Sequence, residues 1–223
     1  MKTKDLHTAF KNKGYVNFSI DQFFPEFVFF SDNFNSINDS EWSYIIKNRY
    51  GEHDFYLSEN SMEEIEREKL LSFEDYNNGV FSFSFRRLPD NDRSGKITYF
   101  SAIKDIVGSE KFKSFLTSIT GREIKKMALL YLNRFDKGDF LTTHCDPGES
   151  FGIVINLTGN WNPNHGGLTV ILDKERKFIV DTLVPYNLTT LIFDTSEKEI
   201  PHFVSMVTAE GKKKRMALVV RYD

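Results

Sequence analysis

From Lys125 onward the chain divides into eight short apolar runs: MALLYLNRF, FLTTH, FGIVINL, GLTVIL, KFIVDTLV, LTTLIF, HFVSMV and RMALVVRY. The segments between them, DKGD, DPGES, NPNHGG, DKER, PYN, DTSEKEIP and AEGKKK, carry the Gly, Pro, Asn and Asp that turns need. Eight strands in about 100 residues point to an antiparallel sandwich or barrel, with the double-Greek-key jelly roll as the leading choice.

The first half differs in character. Ser61-Met62-Glu63-Glu64 forms a capping box ahead of the helical run EIEREKLL. Ser109 to Thr120 reads as a second helix closed by Gly121, with Phe115, Leu116 and Ile119 on one side and Phe112 outside that spacing. Between them VFSFSF alternates strictly, so Phe81, Phe83 and Phe85 share one face of a strand, and sheet packing is the expected role of that stripe. The expected class is therefore mainly β with N-terminal helices (α+β) on a double-stranded β-helix, or jelly-roll, core. The chain is read as a single domain. Residues 1–122 form a mixed helical and strand part that shapes the substrate pocket, and 123–223 form the core.

Composition excludes several classes. With 40% hydrophobic residues, 27% charged residues and 22 Phe, the 223-residue chain lies far from the disordered regime. A net charge of -3 gives no global field for nucleic acid or anionic lipid. The one basic run, Lys212-Lys213-Lys214, follows Glu210-Gly211 and reads as a solvated turn. FFPEFVFF, the most apolar early run, is broken by Pro25 and Glu26, so neither a signal peptide nor a membrane span is expected. The single cysteine, Cys145, cannot form an internal disulfide, which fits a reducing, cytoplasmic setting.

Chemistry enters at FLTTHCD. An H-x-D motif arises roughly 0.4 times by chance in a chain with this many His and Asp, so it does not decide alone. On a strand, His144 and Asp146 point the same way and Cys145 the other, which makes Cys145 a packing residue. His202 opens the seventh run, and barrel closure would bring it to the same mouth. Two imidazoles and a carboxylate compose the facial triad of non-heme Fe(II) oxygenases, and also suit a zinc hydrolase. Arg215, which opens the eighth run, has no acidic partner on its strand before Asp223, and its planar guanidinium suits a dicarboxylate. His165 in NPNHGG is a competing ligand, but a turn ending in Gly166-Gly167 is expected at the surface, with Trp161 and the glycine pair setting strand register.

Three stretches, RFDKGDFLTTHCD, NLTGNWNPNHGGLTVI and PHFVSMVTAEGKKKRMALVV, resemble in order the prolyl-hydroxylase-like branch of the Fe(II)/2-oxoglutarate-dependent oxygenases, over about residues 130–220. The resemblance implies that His144, Asp146 and His202 are the catalytic metal ligands for Fe(II), that Arg215 binds the far carboxylate of 2-oxoglutarate, and that O2 is the oxidant. It implies hydroxylation of an aliphatic C-H bond in a prolyl peptide or amino-acid-like substrate, with release of succinate and CO2. Asn156 is a polar candidate beside the cosubstrate. The chain departs from the family pattern at Phe135, where tyrosine is usual, and at Arg221, where tryptophan is common; the second bears on substrate choice. A nucleic-acid substrate is disfavoured by the acidic balance, and neither the substrate nor the oligomeric state is announced. Two other classes remain: a non-catalytic jelly-roll module binding a metal or ligand, and a zinc hydrolase.

Overall fold

The computed structural model describes residues 2–223 apart from 31–33, 35, 90–97, 147, 149 and 212. Lys212 of the basic run and Pro147 and Glu149 of the DPGES segment therefore lie outside the described residues. The elements are α1 (Thr3–Lys13), β1 (Tyr15–Ser19), β2 (Ser43–Asn48), β3 (Gly51–Phe55), α2 (Met62–Asn77), β4 (Phe83–Pro89), α3 (Thr98–Gly108) and α4 (Glu110–Thr120), followed by eight strands. These are β5 (Met127–Phe135), β6 (Phe140–His144), β7 (Phe151–Asn156), β8 (Thr169–Leu172), β9 (Ile179–Leu183), β10 (Thr189–Asp194), β11 (His202–Val204) and β12 (Arg215–Tyr222).

All eight apolar runs are strands, and their order is that of a jelly roll. One sheet runs β10-β7-β12-β5, extended by β1; the other runs β6-β11-β8-β9. β4 pairs with both β5 and β6 and joins the two, so the sheet curls on itself. Every pairing is antiparallel, as short turns between successive strands demand.

Local signals explain the helices. Ser61 Oγ accepts from the Glu64 amide at 3.2 Å while Glu64 Oε2 accepts from the Ser61 amide at 3.0 Å, starting α2 as the capping box requires. Ser109 caps α4 through the Phe112 amide, and Gly121 ends it in the left-handed region at φ 72°. Phe112 was expected outside the apolar face of α4, but it is fully buried with Leu116 and Ile119, because i, i+4 and i+7 form one stripe. Phe115 lies at its border and meets the rings of Phe18, Phe23 and Phe24.

The main core joins both halves of the chain. Leu6 and Phe10 of α1, Ile103 and Val107 of α3, and Phe112 and Leu116 of α4 pack on Ile153 and Ile155 of β7 and on Met216, Leu218, Val220 and Tyr222 of β12. Tyr222 extends this contact with a hydrogen bond from its hydroxyl to the Val107 carbonyl at 2.7 Å. Much of the N-terminal part is thus a backing layer on the outer face of one sheet. From the N-terminal part, β3, β4 and the approach to β4 contribute Glu52, Phe81, Phe83, Phe85 and Arg87 to the cavity lining.

The Gly166-Gly167 turn sets register, as read from the sequence. Gly166 has φ 68° and bridges to Val207, and a Cβ there would overlap the Met206 carbonyl. Trp161 Nε1 donates to the Gly166 carbonyl at 2.9 Å. Among the described residues no helix is long and apolar enough to cross a membrane.

Candidate metal centre

His144 closes β6 and His202 opens β11, and the two are direct register partners on these antiparallel strands. That pairing brings together histidines 58 residues apart, with ring centroids 4.3 Å from each other. β6 ends at His144, so Cys145 and Asp146 follow it outside the strand. Asp146 folds back between the imidazoles: its Oδ1 is 3.5 Å from His144 Nε2 and its Oδ2 is 3.6 Å from His202 Nε2. One ligand atom from each of the three side chains lies within 4.8 Å of the others, the one such group of three found among the described residues. Cys145 was expected to pack away from this face; it lines the same cavity, because the alternation stops with the strand.

Both histidines are oriented from behind. The Nδ1-H of His144 donates to the Thr142 carbonyl at 3.0 Å, and that of His202 to the Ile200 carbonyl at 2.8 Å. A carbonyl only accepts, so Nδ1 carries a proton in each ring and Nε2 faces Asp146. Burial, then the neighbouring His144, pushes His202 down to about 4. Burial works against the Asp146 carboxylate, but the adjoining His144 ring and the Arg221 guanidinium outweigh it and hold the carboxyl well below its usual range. Two imidazole nitrogens and an ionised carboxylate are a donor set that suits a first-row divalent ion.

The triad opens on a cavity of about 400 Å³. Arg215 lines it too, 2% exposed. Its described contacts are one hydrogen bond, from Nη2 to Thr169 Oγ1 at 3.1 Å, and the Phe135 ring 4.7 Å beneath the guanidinium. Its Nε is buried without a partner, and burial alone pushes it down to about 10. The residue stays charged at neutral pH, and a buried charge lacking a carboxylate is a costly arrangement unless a ligand supplies one. The donor set and this orphaned guanidinium together fit a divalent metal with a dicarboxylate beside it.

Arg221 departs most from expectation. Read from the sequence it bears on substrate choice; in the fold its Nη2 reaches Asp146 Oδ2 at 2.5 Å, and its guanidinium lies over Phe193 at 5.0 Å. Gly152, on the paired strand β7, leaves room for it, since a Cβ there would overlap the guanidinium. Asn156 is held by β10 through its amide nitrogen, while its Oδ1 is buried without a partner. It shares the inward face of Val154, but its Nδ2 donates to the Thr189 carbonyl and Oγ1 at 3.1 and 3.0 Å, and it is absent from the cavity lining. His165 stays outside the cluster, against Trp161 and within 2.9 Å of Lys213 Nζ.

Sequence reasoning also missed part of the wall. Phe83 and Phe85 belong to β4, and Phe81, just before it, stacks on His144 at 5.8 Å; all three face the cavity rather than serving only as sheet packing. The alternation that gave Phe81, Phe83 and Phe85 continues to Arg87, and the one ending at Phe135 on β5 includes Tyr131 and Asn133. Extending the first count by one step of two residues, and the second by two, finds them.

No family model matches the chain, and no curated protein sequence does. The fold has clear counterparts among solved structures. An oxidoreductase of the 2OG-Fe(II) oxygenase family from Burkholderia pseudomallei aligns with a TM-score of 0.64 and 15% identity, over 100% of this chain and 91% of that one. A prolyl-4-hydroxylase from Pseudomonas putida aligns at 0.58 and 10% identity, over 99% and 97%. IDO from Bacillus thuringiensis aligns at 0.55 and 16% identity, over 100% and 96%. At these identities the likeness is one of architecture, and the chain has the fold of the 2OG-Fe(II) oxygenases, prolyl hydroxylases among them.

Proposed function

We propose that this chain is an Fe(II)/2-oxoglutarate-dependent dioxygenase that hydroxylates an aliphatic C-H bond of a prolyl peptide or amino-acid-like substrate. The observation that carries the reading is the presence, in one cavity, of the His144-Asp146-His202 group and a buried Arg215 with no acidic partner among the described residues. A zinc hydrolase has no use for the second feature. Fe(II) with 2-oxoglutarate and O2 supplies the oxidation: one oxygen atom enters the substrate C-H bond and the other enters succinate as CO2 leaves.

The protein's own part is binding and orientation. His144 Nε2, His202 Nε2 and an Asp146 oxygen would hold the ion, each imidazole fixed by the carbonyl behind it. Arg215 would grip the far carboxylate of 2-oxoglutarate from its place on Phe135. Arg221 ties Asp146 Oδ2 and leaves Oδ1 facing His144. Phe83, Phe85, Leu191, Phe193 and Val204 make the wall apolar and keep water from the reacting atoms. The prolyl-4-hydroxylase of like fold supports the substrate range.

The test is anaerobic addition of Fe(II) and 2-oxoglutarate, which should give a visible metal-to-ligand charge-transfer band; oxygen should then yield succinate. His144→Ala and His202→Ala should each lose the band. Retention of the band with full metal affinity in both variants would remove the triad from the metal site. Hydrolysis with zinc and no succinate would turn the reading to a hydrolase.

A further inference from the structure

Arg87 and Asn133 are direct register partners on β4 and β5, and both line the cavity. The Arg87 guanidinium lies 4.6 Å over the Tyr131 ring and 5.5 Å from the Phe85 ring, so it rests against an aromatic wall. Its Nε is buried without a hydrogen-bond partner, and no carboxylate among the described residues pairs with it. Asn133 is 8% exposed, and its Oδ1 is likewise buried and unpartnered. An unsatisfied donor and an unsatisfied acceptor thus stand side by side on neighbouring strands. The oxygenase machinery described above, His144, Asp146, His202, Arg215 and Arg221, uses neither. Buried polar groups in native proteins are normally satisfied, so such a pair marks the place of a ligand that brings an acceptor and a donor together.

Charge points the same way. Three arginines of the lining, Arg87, Arg215 and Arg221, face two carboxylates, Asp146 and the exposed Glu52. Arg221 pairs with Asp146, and in the oxygenase reading Arg215 takes the cosubstrate carboxylate, so Arg87 is the guanidinium of the lining left to meet a charge of the substrate. An internal prolyl residue, neutral and with no N-H of its own, answers neither that guanidinium nor Asn133 Oδ1. A free carboxylate beside an ammonium answers both.

We propose that the substrate is a free α-amino acid whose carboxylate docks on Arg87 and whose ammonium donates to Asn133 Oδ1; this rests on the oxygenase reading above. Arg87 is a rigid fork already stacked in place, so little order is lost when the carboxylate arrives. The cavity of about 400 Å³ is of the size that holds small ligands.

The experiment measures succinate release by the Fe(II)-loaded protein with 2-oxoglutarate and oxygen, in the presence of each proteinogenic L-amino acid and, separately, of its C-terminal amide. At least one free acid should accelerate release and gain the mass of one oxygen atom, while its amide does neither. Arg87→Gln should raise the half-saturating concentration of that acid about ten- to hundred-fold. It should leave the half-saturating 2-oxoglutarate concentration and the charge-transfer band unchanged, which also shows that the variant is folded. Arg87→Lys, with the charge but not the fork, should fall between. Equal action of acid and amide overturns the proposal. So does a rise in the 2-oxoglutarate constant instead, which would give Arg87 to the cosubstrate, or a panel in which no free acid acts although the band forms normally. Absence of the band in the wild-type protein sinks the oxygenase reading itself, and this inference with it.

Discussion

The two faces of β12 are made from the same eight residues and do opposite work. Met216, Leu218, Val220 and Tyr222 point outward into the helical layer and are fully buried there. Arg215, Ala217, Val219 and Arg221 point inward and line the cavity. The outer face is apolar apart from one tyrosine hydroxyl, whose hydrogen bond is satisfied within the protein. The inner face carries two guanidiniums, each with a buried nitrogen that has no partner. Burial is alike on the two sides, all eight residues being buried, so burial alone does not separate structure from function. Satisfaction does: the outer face is complete, and the inner face awaits a ligand.

Substitutions on each face should separate along that line. The largest effect is expected at Leu218→Ala, which opens a cavity under the helices and should cost about 2–5 kcal/mol of unfolding free energy. Denaturant titration measures it, and a loss under 1 kcal/mol would mean the outer face relaxes freely. Arg215→Ala should cost no stability, since it removes a buried unpaired charge, but should weaken 2-oxoglutarate by about 1.5–3 kcal/mol, or roughly ten- to hundred-fold. If it unfolds the protein instead, Arg215 is structural and the contrast between faces fails.

Arg221 allows a finer test, because it acts through Asp146. Arg221→Gln and Gly152→Ala should each release Asp146 Oδ2, one by removing the guanidinium and the other by displacing it. Both should weaken Fe(II) binding by about tenfold, the lower end of what loss of an outer partner does to a metal site. Metal titration checks this, and divergent results for the two variants would deny Arg221 its positioning role. The smallest effect belongs to Phe135→Tyr, which restores the hydroxyl usual in the resembled family beside Arg215. One added hydrogen bond is worth about 0.5–1.5 kcal/mol, so cosubstrate binding should tighten by roughly two- to ten-fold. A weakening as large as that of Arg215→Ala would show that the stacked ring matters more than the missing bond.

The eight strands were legible because each is bounded by turn residues whose preferences are local, and DKGD or PYN ends a strand whatever the strand later meets. The caps at Ser61, Ser109 and Gly121 are local in the same sense. Arg215 was legible as a problem: a guanidinium inside an apolar strand, with no acid near it in sequence, must be answered from elsewhere. Phe112 was misjudged by one position on a helical face. Asn156 was read as a polar candidate from its place on the strand after His144 and Asp146, while the reach of its amide nitrogen to Thr189 on β10 was not visible along the chain.

The sequence by itself determined which residues share a face, since the period of two in a strand and the 3.6-residue turn of a helix are properties of the backbone. It therefore grouped Phe81, Phe83 and Phe85, and put an unpartnered arginine at the head of β12. Only the tertiary structure decided what each face meets. Register between β6 and β11 set His202 against His144, closure of the curled sheet turned the phenylalanine stripe toward these histidines, and a glycine on β7 let Arg221 reach Asp146. Those contacts join residues far apart in sequence, and their energies exist only once the backbone has closed and excluded water between them.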